Sequence, residues 1–169
     1  MRALTLRQPY AWLTFHGKNP ENRVWKTRFR GYFLVHAGRE LRLQDYQDAQ
    51  RMCEGTGVEL PPMSAFVAIP QGNTQGLGLG GIVGAVKLID VLPPLHHGHG
   101  PAPRWRILGQ YGFELRAQQL LPLEVCSGAR QFWRVPIVTA ARLEVTPELR
   151  GQLEESDRVF TEAHSRVAG

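Results

Sequence analysis

Polar and apolar residues alternate through RALTL (2–6), the period of a half-buried strand. Gln8-Pro9 then predicts a short helix. Proline suits its first turn, Tyr10, Ala11, Trp12, Leu13 and Phe15 supply apolar positions, and Gly17 closes it. NRVWKT (22–27) reads as a second strand and Arg30-Gly31 as a turn. YFLVHA (32–37) is apolar on both alternations, so both faces of that strand are expected to be covered, as in a closed barrel or sandwich. Leu43, Tyr46, Gln47, Gln50 and Arg51 fall at helical spacing within 43–54. Residues 55–80 and 93–105 carry the turn-forming Pro and Gly and read as loops. Between them GIVGAVKLIDVL (81–92) is a long β-branched strand, with Gly84 marking a bend or bulge. YGFELRAQQL (111–120) and QFWRVPI (131–137) read as the last strands. From Thr146, as N-cap with Pro147 behind it, the chain reads as helix, acids crowding its first half. About six strands and three helices without a βαβ rhythm predict the α+β class, a small mixed β-barrel with short helices over residues 1–139 and an acidic helical tail over 140–169.

Composition narrows the class. The chain has 169 residues, 43% hydrophobic and 21% charged, which excludes a disordered polypeptide. No apolar run approaches the ~20 residues that cross a bilayer, and the first residues lack the apolar segment of a secretion signal. Cys53 and Cys126 form no CxxC pair and cannot build a disulfide framework. The expectation is a cytoplasmic protein, monomeric or weakly homodimeric, with no membrane partner.

Charge changes the picture more. Residues 1–39 carry eight basic side chains and one acid, Glu21, whereas the remaining residues are slightly acidic in balance. The same stretch holds Tyr10, Trp12, Phe15, Trp25, Phe29, Tyr32 and Phe33. Cations interleaved with rings suit a single-stranded nucleic acid, phosphates on the guanidinium groups and bases on the rings. The competing explanation is a solvated basic face with its aromatics in the core. Arg outnumbers Lys 17 to 3, so part of the arginine content is a bias of the whole chain.

Other motifs carry less. Gly76-x-Gly78-x-x-Gly81 matches the dinucleotide fingerprint as a string, but strand residues follow it where that fingerprint needs a helix, so it reads as a loop feeding a strand. His96, His97 and His99 lie in a Pro/Gly loop with no accompanying Cys or HExxH pattern, and read as a solvated loop with no metal ligands. His36 sits among apolar neighbours, as a partly buried histidine or a polar group at a barrel mouth. Ser127 precedes Gly128 at a turn. Glu21 lies among Lys18, Arg23, Lys26, Arg28 and Arg30. A carboxylate there would stay ionised and orient its neighbours, and a lysine ringed by arginines has its charged form disfavoured, which turns it toward a base or nucleophile. The structural alternative is an ion pair bracing strand 22–27 against helix 8–16.

Residues 8–38 resemble the ASCH family, named for homology to a domain of the activating signal cointegrator. The matching pieces are Gln8-Pro9-Tyr10-Ala11, Gly17-Lys18, Glu21-Asn22-Arg23, Trp25, Thr27, Arg30-Gly31 and His36-Ala37-Gly38. GGIVGAVKLIDV, YGFELR and GARQFWRVP are similar more loosely, so the resemblance covers roughly residues 1–137. It implies a PUA-like barrel and a cleft beside the first helix, lined by the GKxxENR segment. It also implies an RNA-binding module. Some relatives bind DNA, and some cleave single-stranded RNA with a divalent metal. A compact branch deacylates N4-acetylcytidine with a lysine, a threonine and a glutamate. That branch places threonine three residues after the lysine, where this chain has Glu21, and Tyr10 replaces the usual tryptophan. The expected ligand is RNA or another single-stranded nucleic acid, met by Gln8, Tyr10, Lys18, Glu21, Arg23, Trp25, Lys26, Arg28, Arg30, His36 and Ser127. The alternative is a hydrolase of RNA or a modified nucleoside with Lys18, Glu21 and Tyr10 as catalytic residues, no cofactor, and a divalent metal only for the ribonuclease chemistry.

Overall fold

The computed structural model describes residues 1–66, 75–96 and 103–165. His97, His99 and residues 71–74 of the glycine-rich stretch lie outside them. Six strands form one mixed sheet: β1 (Arg2–Gln8), β2 (Glu21–Arg23), β3 (Gly31–Leu41), β4 (Gly81–Leu92), β5 (Tyr111–Val125) and β6 (Phe132–Arg134). Their spatial order is β2-β5-β4-β3-β1-β6, with β1 parallel to β3 and every other pair antiparallel. The helices are α1 (Tyr10–Leu13), α2 (Leu43–Cys53), α3 (Ile137–Arg142) and α4 (Pro147–Ser165). The class is therefore mixed α+β as expected. The sheet is open, because no ladder joins β2 to β6. Side chains draw these two edges together: Trp25, just after β2, meets Phe132 of β6 edge-on with ring centroids 5.9 Å apart.

The double apolar alternation of β3 has a direct structural counterpart. Phe33 and Val35 face one core cluster with Leu4, Leu6, Phe29, Val83 and Phe113. Leu34 faces the opposite cluster with Ala3, Ile82, Leu121, Leu149 and Leu153. The second cluster includes α4, so the acidic helix is bound by its apolar face to the sheet. Polar contacts fix it as well: Ser156 Oγ accepts the Tyr32 N–H at 2.9 Å, and Asp157 Oδ1 lies 2.8 Å from Arg2 Nε. Gly84 marks the irregularity the sequence suggested, for the β4–β5 register shifts between Ile82 and Gly84. A Cβ at Gly84 would lie 2.7 Å from the Gln119 carbonyl oxygen.

One expectation near the C-terminal end is corrected. The strand read over 131–137 is only Phe132–Arg134, and Ile137, its last residue, begins α3 (Ile137–Arg142). The break comes at Pro136, which lacks the N–H a ladder needs and stands as the N-cap residue of α3. No helix among the described residues is long and apolar enough to cross a membrane.

Candidate functional site

The carboxyl end of β1, α1, the turn after it and β2 converge on an open cavity of about 670 Å³. α1 tightens after Leu13 into turns, Phe15 N–H donating to the Trp12 carbonyl at 3.0 Å and His16 N–H to the Leu13 carbonyl at 2.9 Å, and Gly17, at φ +99°, closes them. The Lys18 N–H returns to the Leu13 carbonyl at 2.9 Å, so the chain reverses and carries the Lys18 side chain to the cavity. There Lys18 Nζ donates to Glu21 Oε2 at 2.6 Å and to the Pro20 carbonyl at 2.9 Å. Glu21 Oε1 lies 3.3 Å from Arg23 Nη2, which also donates to the Thr5 carbonyl at 3.0 Å. One carboxylate thus joins two cations and braces β2 against β1. The Lys18 side chain is only 2% exposed and that of Glu21 10%.

The Tyr10 ring stands 5.7 Å from Lys18 Nζ, within cation–π range. Burial and then the carboxylates of Asp45, Asp48 and Glu21 push the Tyr10 hydroxyl up to about 12, so it keeps its proton at neutral pH and serves as a donor. Between pH 10 and about 12 the unfolded chain releases this proton while the folded one holds it, so stability falls as pH rises through that window. A tyrosinate absorbance titration should show a step near pH 12 that Tyr10→Phe removes. Trp25, half-buried, completes the aromatic wall, its ring set at near right angles to Phe113 and Phe132. Asp45 and Asp48 reach the cavity from α2, Asp45 lying 3.4 Å from Arg7 and Asp48 pairing with Arg51.

The basic residues expected to share one cleft divide between two. Lys18 and Arg23 line the cavity, whereas Lys26, Arg28 and Arg30 line a neighbouring hollow of about 720 Å³ walled by Phe132 and by Phe160 of α4. Strand β2 ends at Arg23, and the residues after it turn away. Lys18 is therefore not ringed by arginines; its nearest charge is a carboxylate. Arg30 is held at the edge by Asp90 at 2.8 Å and by the Phe29 carbonyl at 2.9 Å. Ser127 and His36 belong to a third hollow of about 430 Å³, with Arg39 and Arg130.

Gln8 and His36, both expected to contact the ligand, are buried instead. Gln8 is fully buried: its Nε2 donates to the carbonyls of Gly76 and Gly78 at 2.7 and 3.0 Å, and its Oε1 accepts the Trp12 N–H at 3.0 Å. It ties the glycine-rich segment to α1 and has no surface for a ligand. Those glycines pack closely: a Cβ at Gly78 would lie 2.9 Å from Leu123. His36 is 1% exposed and donates from Nε2 to the Cys126 carbonyl at 3.1 Å. Burial, reinforced by the Arg39 charge, holds its pKa below the ordinary range, so the ring is neutral at pH 7. It supports the chain above it, since a Cβ on Gly128 would meet the ring at 2.5 Å.

Sequence reasoning missed Arg7, Asp45, Asp48, Arg39, Arg130 and Gln131 as site residues, and had Asn22 only as part of the GKxxENR segment. Asn22 pins the cavity rim by donating to the Trp105 carbonyl at 2.6 Å and accepting the Ile107 N–H at 3.0 Å. Gln131 has φ +57°, a left-handed backbone that an ordinary residue adopts at a cost, and it lines both the cavity and the adjacent hollow. The signals for this segment were Ser127-Gly128 at a turn and the loose family likeness of GARQFWRVP (128–136). Among the described residues no group of three or more His, Cys, Asp and Glu side chains is arranged to hold a metal ion. Searches against known proteins return no matching family model and no matching curated protein.

Proposed function

We propose that this protein is an ASCH-type, PUA-like module that binds single-stranded nucleic acid, RNA in preference to DNA, with one nucleobase in the central cavity. The carrying observation is the Lys18–Glu21–Arg23 cluster, nearly closed to water yet set in an open 670 Å³ hollow beside two aromatic rings. Burying charges costs stability unless they are paired and hydrogen-bonded, and these are fixed from both sides. Lys18 keeps one ammonium proton beyond its two bonds to Glu21 and Pro20, and the Tyr10 hydroxyl is a second donor. Asp45 and Asp48 offer acceptors to the exocyclic amines of a base. The resemblance of residues 8–38 to the ASCH family supports the same reading, since its Lys18, Glu21, Asn22, Arg23 and Trp25 all line this cavity.

Stacking one base on an aromatic side chain contributes about 1–3 kcal/mol, and phosphate contacts add a counterion-release term. Binding to a labelled single-stranded RNA should therefore be micromolar and weaken with salt, log K falling about 0.7 per phosphate contact for each tenfold rise in salt. Anisotropy titrations at two salt concentrations test this. No binding at low salt, or binding indifferent to salt, contradicts it.

One observation favours the hydrolase alternative: Lys18, Glu21 and Tyr10 do meet in a single cavity. Binding remains the preferred function, because the Lys18 amine is committed to Glu21 and Ser127 lies in another hollow. Release of acetate from N4-acetylcytidine, abolished by Lys18→Ala, would reverse that preference.

A further inference from the structure

The central cavity has neighbours on both sides that share its walls. Trp25 and Gln131 line it together with the Lys26–Arg28 hollow, and Thr5, Ala129 and Arg130 line it together with the Arg39–Ser127 hollow. The exposed segment 127–131 runs along all three.

Charge is distributed unevenly over this track. In the centre Arg7 pairs with Asp45, Lys18 and Arg23 share Glu21, and Arg130 reaches in from the rim. Neither outer hollow is lined by Asp or Glu, and only Arg30, at the edge of one, is paired with an acid, Asp90. Among the described residues no carboxylate pairs with Lys26, Arg28, Arg39 or Arg130, and Arg39 only donates to Ser127 Oγ at 3.2 Å. A ligand that complements this surface is uncharged in its middle and anionic at both ends. A nucleoside has no anion, and a mononucleotide has one. A nucleotide inside a chain has a neutral base flanked by phosphates on its 5′ and 3′ sides.

Resting on the reading above, we propose that the strand crosses the protein along segment 127–131, one internal base entering the central cavity while Arg39 and Arg130 hold the phosphates on one side and Lys26 and Arg28 those on the other. The reach fits. Four Cα steps from Ser127 to Gln131 span at most ~14 Å, about four stacked nucleotides at ~3.4 Å each. Gln131, turned by its left-handed backbone at the junction of the centre and one flank, stands where the strand would leave the cavity.

The test compares a nucleoside, its 5′-mononucleotide and a labelled hexaribonucleotide of mixed sequence on the full chain and three variants. Arg39→Ala with Arg130→Ala removes one flank, Lys26→Ala with Arg28→Ala the other, and Arg116→Ala, an exposed arginine on β5, is the control. All of these side chains are exposed, and a thermal melt confirms each fold. The hexanucleotide should bind at least tenfold more tightly than the mononucleotide. Each flank pair should cost about tenfold in hexanucleotide affinity and flatten the salt slope by about 1.4, that is ~0.7 for each of two contacts. The control should move neither by more than about twofold. A mononucleotide that binds as tightly as the hexanucleotide, or flank variants without effect, would overturn the crossing strand while leaving nucleic-acid binding intact. Loss on one flank alone would overturn the internal position in favour of a chain end. Failure of every ligand to bind would bring down the functional reading itself.

Discussion

Glu21→Gln should destabilise the fold by about 3–5 kcal/mol, the cost of leaving a buried charge without its partner. The Lys18 side chain is 2% exposed, and its bonds end on Glu21 and on one backbone carbonyl. The amide is nearly isosteric but carries no charge, so the ammonium would keep its burial and lose its counter-ion. Arg23 would lose the same partner, although its bond to the Thr5 carbonyl remains. Urea denaturation of the wild type, Glu21→Gln, Lys18→Met and the double variant separates two explanations. If the pair matters through its mutual attraction, the double variant recovers much of the loss, because no unpaired charge is left behind. Additive losses would mean that the side chains act by shape alone.

Leu153→Ala should cost about 2–5 kcal/mol, the range for deleting a buried leucine side chain. Leu153 is fully buried between α4 and the sheet, among Leu34, Ile82, Ala85 and Leu121. For a chain of this length each kcal/mol lowers the melting temperature by roughly 2–4 °C. The site-facing residues of α4 lie elsewhere, at Val159, Phe160 and Ala163. The variant should therefore melt early yet bind nucleic acid normally while folded. This distinguishes a helix that completes the core from an acidic gate over the basic surface. A gate would leave the melting temperature almost unchanged and raise affinity when loosened.

Patterns within a single element were legible in the sequence. The two-faced apolar run of β3 predicted its burial on both sides, and Gly84 predicted the β4–β5 irregularity. Residues 131–137 misled because Val135 and Ile137 fit a strand, and the turn into α3 depends on Pro136. Tyr10, Lys18, Glu21, Arg23 and Trp25 were found because they lie within sixteen positions of one another. The rest of the site comes from tertiary assembly. Asp45 and Asp48 arrive from α2, and Arg130 and Gln131 from the connection between β5 and β6. No local period announces that meeting. Gln8 was misread for the opposite reason: a polar residue beside the motif looked available, but its amide satisfies backbone groups of a distant loop.

These observations converge on a cavity whose central Arg7, Lys18 and Arg23 are paired with carboxylates and whose flanks carry Lys26, Arg28, Arg39 and Arg130, unpaired with any carboxylate among the described residues. Chemical-shift mapping with an unlabelled hexaribonucleotide tests that account most directly, because it locates the ligand and does not depend on any variant. Resonances of Lys18, Asn22, Arg23, Trp25 and segment 127–131 should move together and saturate at one stoichiometric equivalent, while α3 and the first half of α4 stay fixed. Shifts confined to surfaces remote from Lys18, or no shifts at low salt, would contradict it.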